Sequence, residues 1–120
     1  MPDSLHNLQA AIAEFADERD WTQFHNPKNL TMALIVEAAE LVEHFQWLSL
    51  QQSLELDAGK RREVSLEMAD VLIYLVRLAD RLNIDLLAAA EEKMAINAEK
   101  YPADRSRGRA DKYTRYTETP

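Results

Sequence analysis

No cysteine occurs anywhere in the 120 residues of this chain, which excludes disulfides, thiol nucleophiles and any cysteine-ligated zinc or iron–sulfur centre. Chain breakers are scarce too. Glycine appears twice and proline four times, and with Ala, Leu and Glu dominant the profile is all-α. The longest uninterrupted apolar run, Val71–Val76, is far shorter than the roughly 20 residues a membrane helix needs. No basic segment followed by an apolar one opens the chain, so the expectation is a cytoplasmic protein with no membrane partner. Basic residues are outnumbered 14 to 21, for a net charge of −7, and without a basic stripe the surface does not suit nucleic acid.

What is present is organised around two acidic pairs at i and i+3, Glu37 with Glu40 and Glu67 with Asp70, each inside an otherwise apolar run. At about 100° per residue, Leu30, Ala33, Leu34 and Leu41 lie within roughly 60° of Glu37, so its carboxylate projects from a core-facing surface. Val64, Val71 and Leu78 share the sector of Glu67, and Glu63 and Tyr74 extend that row. Lone acids in a charged chain are ordinarily solvated. Here Val36, Ala38, Ala39, Val42 and Phe45 occupy the other sides of the helix, leaving no broad polar face for them. Four inward acids resist joint ionisation through desolvation and like-charge repulsion, and a bound divalent cation removes that difficulty. All-oxygen ligands suit Mg²⁺, or Mn²⁺ in its place, rather than zinc. A di-iron bundle needs Glu-x-x-His, and neither pair is followed by histidine at that offset.

Taken in order, Ser4 can cap a first helix ending near Arg19, and the segment Asp20–His25 breaks the periodicity with two aromatics and a histidine. Asn26-Pro27 restarts a helix that runs to about Gln46 and is closed by Trp47. Its apolar residues surround the axis, as expected of a central helix. A short helix can precede Gly59, a third helix spans roughly 60–82 from a basic start at Lys60-Arg61-Arg62, and Asp85 can cap a fourth reaching about Lys100. Residues 1–102 form one helical domain; residues 103–120 are a polar, basic tail in which Tyr113 and Tyr116 are candidate docking points. Lys93, Asn97 and Lys100 share one helix face, either as a solvated row or, since Mg²⁺ commonly comes with phosphate, as a phosphate-facing one. Trp21, Phe24, His25 and Trp47 flank the second helix, as core fillers or as a rim on which a base stacks.

At these residues the sequence resembles the all-α nucleoside triphosphate pyrophosphatase superfamily that includes MazG and the dimeric dUTPases, and within it the dCTP pyrophosphatases. The matching stretches are Glu18–His25, Asn29-Leu30, Glu37–Leu41, Phe45–Trp47, Asp70–Leu75, Lys93–Asn97 and Lys100–Pro102. The resemblance implies a four-helix-bundle-like fold, magnesium on Glu37, Glu40, Glu67 and Asp70, and nucleotide contacts from Trp21, His25, Trp47 and Tyr74. It also implies Lys93 and Asn97 near the phosphates, and a homotetramer built as a dimer of dimers. The expected reaction is cleavage of dCTP or a modified dCTP between the α and β phosphates by metal-activated water. The alternatives are a broad house-cleaning or dUTP pyrophosphatase and, outside the enzymes, a nucleotide-binding helical regulatory module. One departure stands out: animal dCTP pyrophosphatases carry histidine two residues before the Glu-Phe of helix one, where this chain has Ile12.

Overall fold

The computed structural model describes residues 4–116. Ser4 accepts a hydrogen bond from the Asn7 amide at 3.1 Å, satisfying one of the donors that every helix start leaves free. The helix it caps, α1 (Leu5–Glu18), closes where Asp20 takes a left-handed φ of 54°. Two amides turn back there, Asp20 N to Asp17 O at 3.1 Å and Trp21 N to Ala16 O at 2.9 Å. This Schellman closure folds the chain back onto the last turn of α1. A 3-10 turn, Thr22–Phe24, follows, and Asn26 caps α2 (Pro27–Glu43) through the Asn29 amide at 2.9 Å. Proline at the first helical position costs nothing, because no intrahelical amide is needed there.

Helix α2 stops at Glu43 rather than at the expected Gln46. The Phe45 and Gln46 amides both bond to the Val42 carbonyl at 2.9 Å, so the ladder tightens into turns. The short α3 (Leu50–Leu54) has a complete capping box, in which Ser49 Oγ accepts from the Gln52 amide and Gln52 Oε1 accepts from the Ser49 amide. Helix α4 (Ala58–Arg81) starts two residues earlier than expected, since Asp57 caps it through the Lys60 amide at 2.8 Å. That carboxylate offsets the basic opening at the positive end of the helix dipole. A second Schellman closure ends α4, with Asn83 at φ 55° and Ile84 N bonded to Ala79 O at 2.9 Å.

The chain divides into two compact units, one ending at Ile84 and the other beginning at Asp85. In the first, α4 packs along α2 and against α1, around a core of Ala16, Leu30, Val64, Val76 and Ala79. The expectation that α2 is enclosed on all sides is not met within one chain. Leu30 is 1% exposed, whereas Met32, Ile35, Val36 and Val42 are each more than half exposed, because only one side of the helix has a neighbour. In the second unit, Asp85 caps α5 (Leu86–Lys100) through the Ala88 amide at 3.0 Å. After Pro102 come α6 (Ala103–Ser106) and a 3-10 turn, Tyr113–Arg115. Tyr113 and Tyr116 set their rings edge-on to Tyr101 at 5.7 and 5.8 Å, which ties this segment to the end of α5. No strand occurs among the described residues, in agreement with the all-α expectation. None of their helices is long and apolar enough to cross a membrane.

Candidate active site

Glu37 on α2 and Glu67 and Asp70 on α4 each offer a carboxylate oxygen, and these three oxygens lie within 4.8 Å of one another. The packing of α4 on α2 makes the cluster, by setting an acidic row of one helix against that of the other. Glu37 Oε2 and Glu67 Oε2 are sealed from solvent and meet no hydrogen-bond partner. Burial first, then the neighbouring Glu40 carboxyl, and then the charges of Asp70 and Glu67 push the Glu37 carboxyl up to about 7. Burial, Glu40 and Asp70 likewise raise Glu67, with His44 opposing them. Glu40 therefore acts on both half-buried acids, although it stands outside the tight trio. Orphaned anionic oxygens in a cluster of like charge are costly, and a divalent cation satisfies them at once. The all-oxygen donor set fits a hard cation.

The raised Glu37 gives a prediction whose sign follows from linkage. Folded, this carboxyl keeps its proton to about pH 7, whereas its ordinary value is 4.5. Its contribution to stability is therefore complete below about 4.5 and lost as the pH rises through about 7. Without added metal, the Tm of wild type should fall relative to that of Glu37→Gln across this window, and a divalent cation added at pH 7.5 should restore it. Parallel Tm–pH curves for the two proteins would refute the half-buried, repelled carboxyl.

Three further side chains, His44, Glu63 and Lys60, crowd this cluster. His44 Nε2 lies 4.0 Å from Glu67 Oε1 and its Nδ1 lies 3.8 Å from Glu63 Oε2. Lys60 Nζ stands 3.2 Å from His44 Nδ1 and 3.3 Å from Glu63 Oε2. The spacing Glu37, Glu40, His44 is i, i+3, i+7, so the histidine continues the acidic face by one turn. That signal was present in the sequence; the approach of Lys60 was not.

Beside the acids, Ile12, Phe15, Ala16, Trp21, His25, Asp70, Ile73, Tyr74 and Arg77 line a pocket of about 230 Å³. The Schellman closure of α1 builds one wall by returning Trp21 over Ala16, and the Trp21 ring meets Phe15 edge-on at 5.7 Å. His25 follows at 6.4 Å from Trp21, also edge-on. The row Asp70, Tyr74, Arg77 at i, i+4, i+7 of α4 forms the opposite wall. Ile12, the position that departs from the family pattern, makes the α1 wall apolar where a histidine would be polar.

The first unit thus brings together Glu37, Glu67 and Asp70, with Glu40 beside them, and joins Asp70 to Trp21, His25 and Tyr74. It leaves Trp47 outside, 86% exposed in the turn region after α2. Lys93 and Asn97 belong to α5 of the second unit, where Lys93 is exposed and Asn97 half-buried.

Residues 32–115 match the model of the MazG-like family. The chain is 46% identical over 113 residues to dCTP pyrophosphatase 1 of Rattus norvegicus, and 45% identical over 113 residues to dCTP pyrophosphatase 1 of Homo sapiens. Each alignment covers 92% of this chain and 66% of the relative, so the chain spans a little under two thirds of the length of these curated relatives. Among solved structures, it is similar to a crystal structure of a pyrophosphatase from Archaeoglobus fulgidus, with a TM-score of 0.78 and 40% identity over 85% of this chain and 95% of that one.

Proposed function

The chain belongs to the MazG-like family, and from that membership, its acidic cluster and the pocket beside it we propose that it is a nucleoside triphosphate pyrophosphohydrolase. Water attacks the α-phosphorus of dCTP or a modified dCTP, the bond from that phosphorus to the bridging oxygen breaks, and a dCMP-type monophosphate and pyrophosphate leave. The observation that carries this reading is the double membership of Asp70, whose carboxylate belongs to the acidic trio while its side chain lines the aromatic pocket. A nucleotide with its base in the pocket has its phosphates at the acids. The names of the relatives, dCTP pyrophosphatase 1, support the choice of base.

Glu37, Glu40, Glu67 and Asp70 would hold Mg²⁺, with Mn²⁺ as a substitute; when bound, such a cation offsets triphosphate charge and lowers the pKa of water. Trp21 offers its indole to the base, and His25 and Tyr74 contribute polar contacts in a pocket whose apolar walls exclude water. Lys93 and Asn97 are assigned to the phosphates on the family resemblance. A panel of dCTP, 5-methyl-dCTP, dUTP, dTTP and dATP with Mg²⁺ tests the reading, with dCMP and pyrophosphate as the expected products. Similar turnover of all five would favour the broad house-cleaning alternative, and binding without turnover would favour the regulatory module.

Stacking acts in both the ground and transition states, so Trp21→Ala should raise KM roughly five- to hundred-fold, the size of one base–aromatic contact, with kcat nearly unchanged. An unchanged KM would make the indole a core filler. The uncovered side of α2 supports assembly into a homotetramer built as a dimer of dimers. Ile35, Ala38, Ala39 and Val42 line an open apolar groove there, and Trp47, Leu50 and Leu54 are almost fully exposed. A patch of this kind ordinarily meets another copy or a partner, and a second copy is what would bring Trp47 to a nucleotide. Mass measurement in solution should give the tetramer; a monomer at micromolar concentration would refute it. A nucleotide substrate and helices unsuited to a bilayer agree with a cytoplasmic enzyme.

A further inference from the structure

Arg77 is the only buried polar or charged residue among the described residues, at 4% exposed. A guanidinium in that position is costly unless its donors are met, and each of its nitrogens finds a partner. Nε–H donates to His25 Nδ1 at 3.1 Å, Nη2 to Thr22 Oγ1 at 3.1 Å and Nη1 to Asp80 Oδ2 at 3.3 Å. Those partners are held in turn. The Thr22 hydroxyl donates to Asp17 Oδ1 at 2.6 Å, Gln9 Nε2 donates to Asp80 Oδ1 at 3.0 Å, and Arg81 Nε donates to the His25 carbonyl at 3.0 Å. Helices α1 and α4 and the turn carrying His25 therefore meet at one buried cation.

This arrangement decides a proton. Guanidinium has donors and no acceptor, so the nitrogen facing Arg77 Nε–H must be the unprotonated one, and the single proton of the neutral ring sits on Nε2. We propose that Arg77 is a positioning residue that locks His25 as its Nε2–H tautomer, so that the pocket offers a donor to an acceptor-bearing ligand edge, the 2-carbonyl of a pyrimidine nucleotide. Burial, with the Arg77 and Arg81 charges, also holds the His25 pKa below its ordinary value, which keeps the ring neutral. An exocyclic amine is itself a donor and cannot be its partner. His25 thus recognises what cytosine, uracil and thymine share, and their discrimination at C4 falls to other groups. The inference rests on the nucleotide reading of the pocket.

The first test needs no variant. In ¹⁵N-labelled wild type at pH 7.5, long-range ¹H–¹⁵N spectra should show His25 as the Nε2–H form, identified among three histidines by its loss in His25→Gln. An Nδ1–H or charged His25 overturns the proposal whether or not the protein turns over any triphosphate. Absence of turnover alone defeats the hydrolase reading and leaves this measurement to decide the tautomer. Kinetics provide the second test. Arg77→Met should mix the tautomers and raise KM for dCTP roughly 3- to 10-fold, the scale of one neutral hydrogen bond, at constant kcat. Wild type should disfavour 2-thio-dCTP, whose sulfur is a poor acceptor, and Arg77→Met should lose that preference. Thr22→Val, which frees the far end of Arg77, should shift KM the same way by less, and decides alone if Arg77→Met does not fold. An unchanged KM and an unchanged response to 2-thio-dCTP overturn the positioning role.

Discussion

Asp70→Asn should lower kcat on the order of 100- to 1000-fold at saturating Mg²⁺, the scale of losing one preorganised electrostatic group, while leaving the helical content intact. The change removes a ligand charge and almost no volume. Asp70 shares the trio with Glu37 and Glu67, and its charge helps to raise both of them. The same substitution should therefore stabilise the metal-free protein by relieving repulsion, and should shrink the rise in Tm that Mg²⁺ produces. This opposition of signs separates a metal ligand from an ordinary structural acid, whose loss would lower both quantities or neither. Glu40→Gln should behave alike in kinetics, since Glu40 bears on both Glu37 and Glu67. Near-normal turnover in either soluble variant at saturating Mg²⁺ would sink the assignment.

Leu30→Ala should destabilise the fold by about 2–5 kcal/mol, lowering Tm by roughly 8–20 °C. Leu30 is the buried residue of α2 and, with Val76 of α4, one of the two largest side chains with almost no exposure, and its truncation leaves a cavity that the helix pair closes only in part. The effect reaches the site because Leu30 precedes Glu37 by two turns on the same face. The side chain that seats α2 on α4 also aims the carboxylate, so Mg²⁺ should bind less tightly to the variant even where it remains folded. Calorimetry with and without Mg²⁺ measures both quantities. A loss below about 1 kcal/mol would show that the site collapses around the smaller residue.

The sequence by itself determined what is local. The caps Ser4, Asn26 and Asp85 act on amides three residues away, and the acidic pairs at i and i+3 need only helical geometry to share a face. Element boundaries were less legible. Asp57 lies before the basic run and claims the start of α4, while competition for the Val42 carbonyl ends α2 early. Tertiary structure decided which acids converge: Glu37 meets Glu67 and Asp70, and Glu40 stays beside them. It also closed a pocket from α1, the turn after it and α4, set Lys60 against His44, and buried Arg77 where its neighbours hold it. It left Trp47 outside that pocket, although the sequence had grouped it with Trp21 and His25. The reason is geometric. Periodicity fixes the direction of a side chain about its own axis, whereas a contact between helices depends on their crossing angle and on the register along each axis. Those are set by how Leu30, Val64 and Val76 pack together, and no single stretch of the chain encodes them.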